Sequence, residues 1–127
     1  MFQVTADTDK NRLYVTLQGH LEANERAEVV NAFIGAIRKL QPGFDIINDM
    51  SALAPTEADG LKDLARVQAT AMLRGVRKVI RVVRIPLSRI QLDRLAKETG
   101  WAYEVADSVA EAEAILDALG PAEDRPG

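Results

Sequence analysis

The sequence predicts an α/β domain: a mostly parallel five-stranded sheet with an antiparallel N-terminal edge hairpin and four helices, in the order β-β-α-β-α-β-α-β-α. Three observations carry this expectation. Two runs of alternating apolar and polar residues open the chain, joined by a short polar turn. From Asn24 onward, stretches with apolar residues at helical spacing take turns with short apolar runs. Turn and cap residues close the helical stretches, at Gln41-Pro42-Gly43, at Gly100 and at Gly120-Pro121. Strands alternating with helices require crossover connections, and these set successive strands parallel.

Residues 2–6, FQVTA, have the period of a half-buried strand. After the turn DTDKN, the run RLYVTLQGHL (12–21) places Leu13, Val15, Leu17 and Leu21 on one face and Tyr14, Thr16, Gln18 and His20 on the other, completing a hairpin. Val30, Phe33, Ile34, Ile37 and Leu40 then mark the first helix, which the Pro-Gly pair ends. FDIINDM (44–50) is short and apolar with its polar residues near the end, as in a buried parallel strand. Leu61, Leu64, Ala65, Ala71, Met72 and Val76 mark the second helix, and KVIRVVRI the next strand. Ser88 with Gln91, and Ser108 with Glu111, have capping-box spacing and open the third and fourth helices, with WAYEVAD (101–107) as a strand between them. Residues 1–120 read as one domain and 121–127 as a flexible tail.

A chain of 127 residues with 47% hydrophobic and 28% charged residues has the size and composition of a single folded domain. It has no cysteine, which excludes disulfides, thiolate metal sites and a cysteine nucleophile. The start, MFQVTADTDK, lacks the basic-then-apolar run of a signal peptide, and no apolar stretch could span a bilayer, so a cytoplasmic location is expected. A net charge of −3 argues against nucleic-acid binding. Basic residues concentrate in 74–94 and acidic ones in 104–124. The plainest expectation is that these two surfaces neutralise each other within the fold. A basic patch for an anionic ligand is the sharper alternative.

Catalytic chemistry is sparse. The one histidine, His20, falls on the polar face of the second strand, where an ordinary surface role is expected. Asp45, Asp49, Glu57 and Asp59 could hold a hard cation only without the glycine-punctuated loop of a calcium site. Gly60 and Gly75 stand alone, so no phosphate cradle is present. Trp101 and Tyr103 share a face of the last strand and are expected to pack beneath a helix. No catalytic residue, metal or cofactor is assigned, and the chain reads as a non-enzyme.

The informative stretch is NDMSALAPTEADGLKDL, residues 48–64. In a parallel sheet the functional loops follow the carboxyl ends of strands, and this loop is one of them. Thr56 is expected as the helix N-cap with Asp59 three residues on. Glu57 and Asp59 would then favour the positive end of the helix dipole by about 0.3–1 kcal/mol each, which accounts for both acids without any function.

Asp49-Met50-Ser51 matches a D-[LM]-S strand end, and Glu57-Ala58-Asp59-Gly60-Leu61 aligns with a D-S-S/T-G-L helix start. With GHLEANE after the second strand, KVIRVV, Pro86 and VADSVAEAEAIL, these motifs make residues 2–119 resemble the STAS domain, the fold of bacterial anti-sigma-factor antagonists (SpoIIAA-like). The resemblance implies a regulatory module that binds a protein, an anti-sigma factor or kinase-like protein, with a homodimer as a further option. The site residues it implies are Asp49, Ser51, Thr56, Glu57, Ala58, Asp59, Gly60 and Lys62. In such antagonists the first serine of the motif is phosphorylated, adding about −1.5 to −2 charge. Here that position is Ala58, which has no oxygen to modify, and the next is Asp59, already negative. Ser51 and Thr56 are nearby hydroxyls at unmatched positions. Relatives of the fold that take small or lipidic ligands suggest a second use, with Arg81, Arg84 and Arg89 holding an anionic group.

Overall fold

The computed structural model describes residues 1–121, which form β1 (Phe2–Asp7), β2 (Arg12–Gly19), α1 (Ala23–Ile37), β3 (Asp45–Leu53), α2 (Ala58–Leu73), β4 (Lys78–Val83), α3 (Pro86–Thr99), β5 (Glu104–Val105) and α4 (Val109–Leu119). The strands make one sheet in the order β1-β2-β3-β4-β5. β1 runs antiparallel to β2, from Phe2 opposite Leu17 to Asp7 opposite Arg12. The remaining pairs are parallel. The hairpin turn is held by Asn11, whose positive φ of 54° is a conformation asparagine tolerates. The Asn11 amide also donates to the Gln41 carbonyl and accepts from the Gln41 N–H, tying the turn to the end of α1.

Because β2 to β5 advance in one direction across the sheet, right-handed crossovers put α1, α2 and α3 on the same face. Leu13, Val15, Leu17, Ile46, Met50 and Val79 point to that face and pack with Val29, Phe33 and Ile37 of α1, Ala71 of α2 and Leu92 and Ala96 of α3. Ile47, Ile80 and Val82 point to the opposite face, where Ala112 and Leu116 of α4 cover them. β3 and β4 are therefore buried on both sides, as their continuous apolar sequence requires.

Several boundaries differ from the sequence expectation. β2 ends at Gly19, whose φ is +70°, and β3 continues beyond Met50 to Leu53. β5 has two residues rather than seven, because Trp101 turns into the core and only Glu104 and Val105 pair with β4. α3 begins at Pro86, so Ser88 lies inside the helix and does not cap it. Proline at the first helical position fixes the backbone there and outranks the serine. The Ser88 hydroxyl donates instead to the Leu53 carbonyl at 2.7 Å. Thr56 is not the cap of α2 either; Glu57 is, without a side-chain capping bond. The Ser108 cap is as expected, accepting from the Glu111 N–H at 3.1 Å. Gly100 ends α3 in the left-handed region. Trp101 is buried and Tyr103 half-buried in the core, as their pairing suggested. From residue 122 onward the expected tail lies outside the described residues.

Charge pairing follows the fold rather than the two blocks seen in sequence. Lys78 bonds Glu104 at 2.6 Å, joining the blocks. The acids of α4 turn elsewhere: Glu113 accepts from Arg12 at 2.8 Å and lies 3.6 Å from Lys10, and Asp117 accepts from Arg12 at 3.2 Å. α4 packs against β3 and β4, and the side chains at the start of β2 reach across to it, so residues a hundred positions apart supply the partners.

Candidate functional site

The site is built where β3 leaves the sheet and α2 begins. Near the end of β3, the Ser51 hydroxyl donates to Asp49 Oδ1 at 2.7 Å, and the Ser51 N–H reaches the same oxygen at 3.2 Å. The loop beyond is clamped from three sides. The Ala54 N–H donates to the Gly19 carbonyl, and Ser88 holds Leu53. Gln91 of α3 brackets the Thr56 backbone, accepting its N–H at 3.0 Å and donating to its carbonyl at 2.9 Å. Gly60, in the first turn of α2, lets the Thr56 side chain lie against the helix: a Cβ at residue 60 would stand 2.0 Å from Thr56 Oγ1.

This clamp presents Ala58 as the exposed first residue of α2, with Glu57 before it and Asp59 in the first turn. Glu57, Asp59 and Lys62 are exposed, while Leu61 and Leu64 are half-buried. Glu57 is drawn toward α1. Its carboxylate accepts from Arg26 Nη1 at 2.9 Å and lies 3.7 Å from His20 Nε2. Arg26 also donates to the Leu21 carbonyl at 2.9 Å and to Asp63 at 3.1 Å. The bond from Arg66, followed by that from Arg26, holds the Asp63 carboxyl below the usual range despite partial desolvation. His20 additionally faces Glu22 at 3.4 Å, so the lone histidine belongs to the rim of this site.

The structure thus gathers Thr56, Glu57, Ala58, Asp59, Gly60 and Lys62 at one helix start, with Asp49 and Ser51 behind them on β3. Sequence reasoning missed Arg26, Asp63 and Gln91, whose contacts span 31 to 37 residues. It also missed Leu87 and Ile90, which are 56% and 54% exposed on α3 beside the clamp. Their signal was present: both lie off the buried helical stripe of Ser88, Leu92, Leu95 and Ala96.

The three arginines assigned to an anion do not form one patch. Arg84 and Arg89 are exposed and line an open depression of about 310 Å³ with Val83, Val105, Ala106 and Asp107. There Arg84 donates to the Asp107 carbonyl at 2.6 Å, and Arg89 lies 3.9 Å from Asp93. Arg81 instead points into the core, 1% exposed, its guanidinium carbon 4.1 Å from the centre of the Tyr103 ring. Burial lowers its pKa from the ordinary arginine value. Asp45, one of the four carboxylates weighed for a cation, is bound by Arg77 at 3.0 and 2.6 Å at the opposite end of β3.

A mixed sheet with one antiparallel edge hairpin, three helices on one face and a fourth on the other gives the chain a SpoIIAA-like fold. The structure is similar to a protein of the DUF3478 family with a SpoIIAA-like fold from Shewanella loihica PV-4, with a TM-score of 0.69 and 12% identity over 91% of this chain and 92% of that one. It is similar to the anti-sigma factor antagonist SpoIIAA in its unphosphorylated form, with a TM-score of 0.67 and 18% identity over 93% and 97%. An anti-sigma factor antagonist from Mycobacterium paratuberculosis matches with a TM-score of 0.62 and 18% identity over 92% and 95%. No family model and no curated protein sequence matches the chain. Among the described residues no helix is long and apolar enough to cross a membrane.

Proposed function

We propose that the chain is a non-enzymatic regulatory module that binds a protein partner through the β3–α2 loop and the first turns of α2. The reading rests on one observation. The exposed first residue of α2 is Ala58, flanked by Glu57 and Asp59, on a loop that other elements hold rigidly. A rigid, exposed helix start with a defined charge pattern suits recognition, since little ordering entropy is lost on binding. Exposed Leu87 and Ile90 beside it would supply the apolar contact that charges alone lack. The pattern is fixed: without a hydroxyl at residue 58, phosphorylation there cannot switch it. The partner suggested by the shared fold is an anti-sigma factor or kinase-like protein.

The test is an affinity capture from a lysate of the source organism, comparing wild type with Glu57→Lys/Asp59→Lys and with Arg84→Glu/Arg89→Glu. One protein lost only with the first pair supports the reading. Identical captures with wild type and the first pair would leave the two acids as charges that merely suit the positive end of the helix.

A second reading, in which Arg84 and Arg89 hold a small or lipidic anion, is supported by the depression they share. Native mass spectrometry of freshly purified protein separates the two. A mass equal to the bare chain, or to a multiple of it, counts against the ligand.

A further inference from the structure

Between the sheet and α1–α3 lies a narrow cavity of about 30 Å³, walled mainly by apolar side chains such as Val15, Phe33 and Met50. Its polar walls are Arg81, Asn48, Gln68 and Trp101, each at most 6% exposed. Arg81 and Asn48 are paired neighbours on β4 and β3, so their side chains leave the sheet on the same side. Four of the donors there, Arg81 Nε, Nη1 and Nη2 and Trp101 Nε1, are buried and have no hydrogen-bond partner among the described residues. A buried guanidinium without an acceptor is strongly unfavourable, and native structures rarely keep one.

The chemistry of the wall narrows what would satisfy these donors. Water could accept from Arg81, but its own hydrogens then need acceptors. Gln68 Oε1 already accepts from Thr99 Oγ1 at 2.8 Å, leaving the Asn48 amide oxygen as the main side-chain acceptor. An anion needs donors alone. The Tyr103 ring covers one face of the guanidinium, and the N–H groups lie in the guanidinium plane, so the stack leaves them available. Asp93, the carboxylate whose charge Arg81 feels, accepts from the Tyr103 hydroxyl and faces Arg89.

We propose that this cavity binds one small monovalent anion, of the size of a halide or formate, held by Arg81 and by the indole N–H of Trp101. The volume excludes larger ligands. Entry follows a second apolar cavity of about 30 Å³ that shares Leu17, Val29, Leu64 and Val67 with the first and reaches Thr56 and Gly60. This site does not rest on the partner reading, although the path to it opens at the same helix start.

Trp101 is the only tryptophan of the chain, so its fluorescence reports directly on the cavity. The experiment titrates the protein with sodium bromide, a heavy-atom quencher, at ionic strength held constant with bulky sodium gluconate. Saturable quenching that chloride and formate relieve by competition is the expected result. Arg81→Met should weaken the saturable component by at least about tenfold, the share of a lost charge-assisted hydrogen bond. Quenching that is absent, or linear in bromide and untouched by chloride and formate, overturns the proposal. So does an unchanged curve in folded Arg81→Met. If that variant does not fold, Trp101→Phe decides by melting temperature: chloride should stabilise wild type over gluconate, and the variant less. Equal shifts in both proteins refute the site.

Discussion

Thr56 and Gly60 fit together so closely that residue 60 has no room for a methyl group: its Cβ would stand 2.0 Å from Thr56 Oγ1 and 3.1 Å from Thr56 Cβ and Cγ2. Gln91 fixes the Thr56 backbone on both sides, so the threonine cannot simply step away. Alanine would ordinarily strengthen a helix here by about 1 kcal/mol. We expect Gly60→Ala to destabilise instead, by about 1–3 kcal/mol of overpacking. Adding Thr56→Ala should recover most of the loss. Urea denaturation of the two single variants and the double variant measures the coupling, and additive losses would contradict the contact.

Arg77→Met should strand the Asp45 carboxylate, which is 4% exposed. Removing one member of a buried pair typically costs 3–5 kcal/mol, and about 3 kcal/mol is expected because Arg77 retains some contact with water. Replacing both residues, as Asp45→Asn with Arg77→Met, should cost less than Arg77→Met alone. Thermal melts followed by circular dichroism give the comparison.

Tyr14 donates to Glu113 Oε1 at 2.5 Å, and Arg12 donates to the same oxygen. Burial first, and then the bond to Glu113, push the tyrosine up to about 12. Burial alone would raise Glu113, but the bonds from Tyr14 and Arg12 outweigh it and hold the carboxyl below its ordinary value. A raised tyrosine stabilises fully below the unfolded value near 10 and loses that contribution as pH climbs toward about 12. A depressed glutamate stabilises above its unfolded value and loses that contribution as acid protonates it. Tyr14→Phe should therefore flatten both limbs of the stability–pH curve. At neutral pH it should cost about 1–2 kcal/mol, the low part of the range for a bond to a charged group because Glu113 is partly solvated. Denaturant midpoints from pH 2 to 12 test the shape, and parallel curves would contradict the linkage.

Ala58→Ser should supply the missing hydroxyl at an exposed position without disturbing the fold. Serine there, next to Glu57 and Asp59, is expected to accept a phosphoryl group from a kinase that recognises this loop. Phosphate-affinity gels read the shift with candidate kinases. No shift with any of them would favour the small-ligand reading.

Much of this architecture is written in local pattern. Alternation in residues 2–6 and 12–17 fixes the hairpin, and helical spacing with Pro42-Gly43, Gly100 and Gly120 fixes the succession of elements. Ala58 is legible as a helix start because strand end, loop and acids follow in order. What escapes is decided between distant segments. Ser88 has capping spacing, yet Pro86 starts the helix earlier and Leu53 claims the hydroxyl. Arg81 looks like part of a basic surface, but both faces of β4 are covered, so alternation offers it no solvent side. Arg26 and Asp63 gain meaning only when α1 and α2 lie together.

The order of the strands across the sheet repeats their order along the chain. Each new strand therefore docks on the one just made, with a single helix as the only detour, and no strand must wait for a late-arriving segment to open a gap for it. Such a sheet can grow outward from its hairpin during synthesis on the ribosome, and its nascent edge at every stage is the next docking platform.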